Sequence, residues 1–282
     1  MRTVARLRVL TADQLAALFF DSTVRAQQRL VALHRLEILD RFAPYRPGWG
    51  RAPYHYVLGR HGAAILAAEA GKDPDTAARR HRADKALAIG RTQRLAHTLG
   101  VNDLYVGLVA HARRHPGAHL GVWRTERDAA KWGDHPVLPD AIGEWTEDGR
   151  TVEFFVEYDR GSENLARLIG KLAGYERLEG DRGRSSWLLF AFTSTRREAS
   201  ARRALAGATV PIATATVTTP ARPADAIWLP LHPERGARVR LADLADVPKP
   251  AAAQRRAHQG GLHEWLYPLP RLDDEEPPID TT

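Results

Sequence analysis

Four side chains in the middle of the chain have the types and spacing for chemistry on a phosphodiester. The segment TVEFFVEYD (151–159) alternates as a strand does, so Glu157 and Asp159 share one face and Tyr158 takes the other. Upstream, VLPDAIGEW (137–145) carries Asp140, and between the two lies TEDGR (146–150). Asp148-Gly149 is a strong hairpin signal, and a tight hairpin centred there sets Asp140 across from a residue near 157. Two carboxylates on one face at cross-strand distance repel each other unless a cation lies between them. Mg²⁺ or Mn²⁺ held by Asp140 and Glu157 removes that penalty, because a hard divalent ion prefers carboxylate oxygen and keeps several waters. Such an ion activates water and stabilises charge on a scissile phosphate. Lys171, twelve residues after Asp159 on the following helix, supplies a further cation, and it is one of only five lysines among 41 basic residues. The catalytic candidates are therefore Asp140, Glu157, Asp159 and Lys171. The plainer reading makes them a polar sheet face and a solvated lysine. Glu126 and Asp103 stand as further acids that could join, whereas Tyr175, His97 and His111 read as helix packing residues.

The elements that position this set follow from hydropathy patterning. Residues 80–114 read as a long helix that Gly100 could divide, and HLGVWRTERD (119–128) as a strand. The hairpin comes next, then a helix over 162–180. SSWLLFAFTST (185–195) is a buried strand, TRREASARRALAGA (195–208) a helix and TATVTT (214–219) a last strand. The order α-β-β-β-α-β-α-β predicts a mixed sheet with helices against it. Trp123, Trp187 and Trp228 read as core.

The N-terminal third has a different pattern. Thr11 and Gln14 form a capping-box signature ahead of a short apolar helix, ADQLAALFF (12–20). Asp21 or Ser22 caps a second helix from Thr23 to about Glu37. Ala26, Leu30, Leu33 and Leu36 give that helix one apolar stripe, and Arg25, Gln28, Arg29 and Arg35 lie on its other face. ILDRFAPY (38–45) and YHYVL (54–58) pair as strands across the loop RPGWGRAP, and GRHGAAILAAEA (59–70) forms a closing helix. Helix, turn, helix and a basic hairpin make the order of a winged helix-turn-helix. Such a helix fits the major groove of double-stranded DNA, with Arg25, Gln28 and Arg29 toward base edges and Arg46 and Arg51 of the wing toward phosphate or minor groove. Glu37 stands where a glycine commonly ends this helix.

Composition narrows the classes. The chain has 282 residues, room for two domains, and 44% hydrophobic and 27% charged residues, as soluble globular proteins do. It has no cysteine, which excludes disulfides, thiolate metal sites and a thiol nucleophile and fits a cytoplasmic location. No apolar run suits a membrane span or a secretory signal. The net charge is +7 and unevenly placed. Residues 1–100 hold 17 Lys and Arg against 8 Asp and Glu, whereas residues 101–282 hold 24 against 26. Arginine over lysine can reflect a GC-rich genome, but a basic excess confined to one third suggests a polyanionic partner for that third. Expected domains are 1–75 (winged helix-turn-helix), 76–246 (α/β) and 247–282 (a tail, partly disordered), with 70–81 and 247–258 as linkers.

The run LPDAIGEW…VEFFVEYDRGSENLARLIGKLAGY resembles the PD-(D/E)xK nuclease pattern. More closely, with HTLGVNDLYVGL (97–108), VWRTERD (122–128) and the winged-helix start, the chain resembles the replication-relaxation family of plasmid and mobile-element proteins. The resemblance covers roughly residues 10–230. It implies a restriction-endonuclease-like α/β domain behind a winged helix, an architecture related to MobC-type relaxases. It further implies a role in plasmid replication or DNA mobilisation, with metal-dependent nicking, and a homodimer or replication and transfer proteins as further partners. One departure stands out. The nuclease motif places lysine two residues after the second acid, and here Asp159 holds that position, so the charge has to come from Lys171. That displacement leaves open a non-enzymatic DNA-binding regulator built on a degenerate nuclease-like scaffold.

Overall fold

The computed structural model describes residues 1–44, 53–81, 94–132, 136–161, 164–182, 185–232 and 236–259. The loop that carries Arg46 and Arg51 and the acidic end of the chain lie outside them. The chain divides into two compact units, Met1–Val106 and Gly107–Thr282.

The first unit opens with α1 (Arg2–Leu7) and a two-residue strand, β1 (Leu10–Thr11), neither of which the sequence pattern announces. The capping box forms as expected. Thr11 Oγ1 accepts from the Gln14 N–H at 3.1 Å, and Gln14 Oε1 accepts from the Thr11 N–H at 2.9 Å, which starts α2 (Ala12–Phe19). Ser22 caps α3 (Thr23–Arg35), which buries Ala26 and Leu30 and half-buries Leu33. Leu36, expected to extend that stripe, is 59% exposed because the helix has already ended. Glu37 takes φ 52, the left-handed position that glycine commonly fills. Its N–H bonds to His34 O, and the Ile38 N–H bonds to Leu33 O, closing the helix end without glycine.

The chain then forms β2 (Leu39–Phe42) and β3 (His55–Leu58), antiparallel with Leu39 opposite Leu58, and β3 also pairs with β1. Next, α4 (Arg60–Glu69) lies close against the end of α3. A Cβ on Gly59 would fall 2.2 Å from Glu37 O, so only glycine allows the approach. The expected linker at 70–81 contains α5 (Pro74–Arg80). Pro74 sits in its first turn, where the missing N–H costs nothing, and Asp73 caps it. Of the expected long helix, Arg94–Ala112 is described, as α6. Its first turns close the core of this unit, where Leu95 packs with Val9 and Val57, and Asn102 Nδ2 donates to Leu7 O and Val9 O.

The second unit is built on a six-stranded mixed sheet in the order β4-β5-β6-β7-β8-β9. Its strands are β4 (His119–Thr125), β5 (Ala141–Glu147), β6 (Arg150–Asp159), β7 (Trp187–Phe192), β8 (Ile212–Thr216) and the short β9 (Leu229–Pro230). The sequence read the strand at 119–128 as three residues longer. Thr125 instead caps α7 (Glu126–Ala129) and bends the chain away. Asp148 and Gly149 both have positive φ, 52 and 74, as a two-residue primed turn requires, and they set Ala141 opposite Val156. The strand β7 runs parallel to β6, and β8 parallel to β7.

The helix expected at 162–180 is described as two, α8 (Leu165–Gly170) and α9 (Leu172–Arg182), joined at Lys171. A further helix, α10 (Thr195–Ala204), links β7 to β8. Phe155, Leu168, Tyr175, Leu178, Phe190 and Ala201 are among the residues that form the core between the sheet and these helices. Trp123, Trp187 and Trp228 are buried as expected. The segment read as a second linker holds α11 (Ala251–Gln259), with Ala253 fully buried. Among the described residues no helix is long and apolar enough to cross a membrane.

Candidate functional site

The C-terminal end of β6 gathers the four residues singled out in the sequence, and the register explains how. With Ala141 opposite Val156, Asp140 stands just before β5 and beside Glu157, and the Asp140 N–H bonds to Val156 O at 3.0 Å. Asp140 Oδ2 accepts the Tyr158 backbone N–H at 2.8 Å, which fixes the carboxylate against β6. Glu157 is 5% exposed and points to the helix-covered face. Its Oε2 lies 2.6 Å from Lys171 Nζ, and its Oε1 accepts the Tyr175 hydroxyl at 2.6 Å. Lys171 and Tyr175 are one helical turn apart, so the junction between α8 and α9 presents both donors to one carboxylate.

Asp159 shares the face of Glu157 but has another partner. Its Oδ2 takes Nε and Nη2 of Arg197 at 2.9 and 2.7 Å, and its Oδ1 takes the Gly161 N–H. Arg197 belongs to the first turn of α10. Since β6 and β7 are parallel, with Asp159 beside Phe192, the helix after β7 starts next to the end of β6. Asp159 is therefore tied to α10 and not directed at Asp140. No sequence reading pointed to Arg197. Its signal is topological, a strand followed by a helix beside a parallel neighbour, and in the Arg-rich TRREASARRA it has no local mark. Tyr175 is the packing residue expected, and it is also a hydrogen-bond donor to the site.

Two further acids do not join the site with their carboxylates. Asp103 Oδ1 accepts from Gln14 Nε2 at 2.6 Å within the first unit. Glu126 is exposed, and only its backbone N–H reaches Asp140, at the carbonyl oxygen. His111 is a helix residue with a structural partner, Glu147 Oε1 at 2.8 Å.

The electrostatics follow from burial. Desolvation pushes the Glu157 carboxyl up, the negative charge of Asp140 adds to it, and Lys171 and Tyr175 pull it partly back, leaving it at about 7. The Tyr175 hydroxyl is pushed well above the phenol range by its burial, by the charge of Glu157 and by its bond to it. The site thus sets a buried carboxyl beside a second acid. Its donor set suits a hard cation: two neighbouring carboxylates, with lone pairs left on Glu157 beyond those taken by Lys171 and Tyr175. Among the described residues no group of three or more His, Asp or Glu comes together, so an ion here would take two protein ligands and water for the rest, as Mg²⁺ commonly does.

On the first unit, Arg25, Gln28 and Arg29 are exposed along α3, and neither arginine makes an ion pair with another described residue. Arg46 and Arg51, expected on the wing, fall outside the described residues.

Two compact units, one basic and helical with a small sheet, the other a mixed sheet with an acid–lysine cluster at a strand end, define an α+β protein. Residues 1–186 match the family model described as replication-relaxation, and the chain belongs to that family. No curated protein and no solved structure gives a significant match. The membership sets replication as the process in which its function lies.

Proposed function

We propose that the chain is a DNA-binding protein of plasmid or mobile-element replication and mobilisation. In this reading Met1–Val106 docks on duplex DNA as a winged helix-turn-helix, and the acid–lysine cluster of the second unit is a nuclease-like site that nicks the strand. The observation that carries the first half is α3. It follows α2 after a three-residue turn, precedes a strand pair, and holds Arg25, Gln28 and Arg29 in solvent, with no ion pair to another described residue, in the third of the chain with the basic excess. Arginines on an exposed helix face suit phosphate and base edges.

The second half rests on Asp140, Glu157 and Lys171. Mg²⁺ or Mn²⁺ held by Asp140 and Glu157 would supply Lewis acidity and an activated water. The chain's own groups prepare the place. Tyr175 fixes one oxygen of Glu157, and the Asp159–Arg197 pair anchors the end of β6 to α10. Lys171 is more exposed than Glu157, and its Nζ can bond to a phosphate oxygen beside the carboxylate.

Incubation of the full chain with supercoiled plasmid, with and without Mg²⁺ or Mn²⁺, tests the reading. Metal-dependent conversion to open circles is expected. Glu157→Gln should abolish it and leave DNA binding intact, and Lys171→Ala should lower the rate more than the affinity. A second reading, a non-enzymatic regulator on a nuclease-like scaffold, has its own support: each oxygen of Glu157 already has a partner, in Lys171 and Tyr175, and Arg197 pairs with Asp159. DNA binding without nicking or metal uptake, by calorimetric titration, selects it.

A further inference from the structure

Val24 is apolar, β-branched and 60% exposed, in the first turn of α3. Successive residues of an α-helix turn by about 100°. On α3 the inward side is set by Ala26 and Leu30, both buried, with Leu33 beside them. Directly opposite lies a stripe of Val24, Gln28 and Arg35, all exposed, with the half-buried Val31 and Ala32 between them. Arg25 and Arg29 flank this stripe on one side and Gln27 on the other. In water a valine at this position has no local justification. Branching at Cβ lowers its helix propensity, and its methyl groups remain hydrated.

A surface that offers an apolar contact among polar and anionic groups gives the stripe a use. The major groove of DNA is such a surface. The thymine 5-methyl is its apolar group, adenine presents an acceptor and a donor that a glutamine amide can meet together, and phosphates line both edges. We propose that Val24 packs on a thymine 5-methyl in the major groove while Gln28, one turn further, pairs with an adenine, so that α3 selects an A·T-containing site and the flanking arginines hold the backbone. The proposal rests on the DNA-binding reading above and deepens it by naming the bases.

The test uses the full chain and a pool of duplexes with a randomised core. Bound sequences are selected, and the strongest is resynthesised with each thymine in turn replaced by 2′-deoxyuridine, which removes only the methyl group. At one position wild type should lose about fourfold in affinity, the worth of one buried methyl. Val24→Ala should bind the thymine and uracil duplexes alike at that position. Gln28→Ala should lose the preference for adenine at a nearby pair. Val24→Ala puts a stronger helix former at an exposed site, so its fold is retained. A selected site without A·T preference overturns the proposal while DNA binding stands. So does indifference of wild type to every uracil, or an undiminished uracil penalty in Val24→Ala. A pool from which nothing is selected at low salt overturns the DNA-binding reading itself.

Discussion

Glu157 and Glu198 are both buried glutamates, and their surroundings push them in opposite directions. Glu157 is raised to about 7 by desolvation first and the charge of Asp140 second. At Glu198 burial also pushes upward, but Arg238 and the hydroxyls of Thr216 and Thr214 outweigh it and hold the carboxyl below its usual range. The consequences for stability follow by linkage. The folded state binds the Glu157 proton more tightly than the unfolded chain does, so its contribution is full below about pH 4.5 and is lost as pH rises through about 7. For Glu198 the contribution is present above the unfolded value and is lost as pH falls through the folded one. Denaturant unfolding in the presence of a chelator should show both. Relative to wild type, Glu157→Gln gains stability between pH 5 and 8, by up to about 3 kcal/mol. The deficit of Glu198→Gln, largest near neutrality, closes as the solution is acidified below pH 4.5. A pH-independent gap for Glu157→Gln would mean that the cluster stays ionised across the range.

Left-handed residues shape the elements that carry the two candidate sites, and not all of them are glycine. Gly149 completes the hairpin turn at φ 74 and so sets the register that brings Asp140 beside Glu157. Glu37 ends α3 at φ 52, a conformation that costs a residue with a Cβ about 1 kcal/mol. Among the described residues its side chain makes one exposed ion pair, with Arg60 at 3.2 Å, which is worth little. Opposite outcomes are therefore expected in chemical denaturation. Gly149→Ala should lose about 1 kcal/mol, and Glu37→Gly should gain up to about 1 kcal/mol with an unchanged m-value. A loss on Glu37→Gly would show that the side chain has a role beyond the ion pair.

These same elements show what the sequence made legible. Asp148-Gly149, the capping box at Thr11 and Gln14, and the alternation of VEFFVEYD are local signals, and the turn, helix start and strand they announce are present. The pairing of Asp140 with Glu157 followed from the turn alone. What escaped depends on neighbours distant in sequence. The bond of Arg197 to Asp159 needs the parallel order β6-β7, and β1 and β9 are two-residue strands defined by their partners. The helices α5 and α11 lay in proline-containing segments read as linkers, where proline marks a helix start as readily as a break.

At the scale of the whole molecule the uneven charge is the feature that bears on function. Residues 1–100 carry the entire basic excess, and the remainder is close to neutral. If the proposed docking on DNA holds, each arginine that meets a phosphate releases condensed counterions, and binding weakens with salt by about 0.9 in the logarithmic slope per contact. Arg25→Ala and Arg29→Ala should each reduce that slope by about one and weaken specific and random duplexes alike, since both arginines flank the outward stripe of α3. Gln28→Ala carries no charge change, so it should leave the slope intact and lose affinity only for the selected site. Glu157→Gln, in the other unit, should change neither slope nor sequence preference, although it abolishes nicking. Fluorescence anisotropy of the full chain on both duplexes from about 50 to 200 mM salt, the range over which several contacts change affinity by orders of magnitude, separates these cases. A slope that neither arginine variant alters would place the phosphate contacts elsewhere in the basic third and remove α3 from the interface.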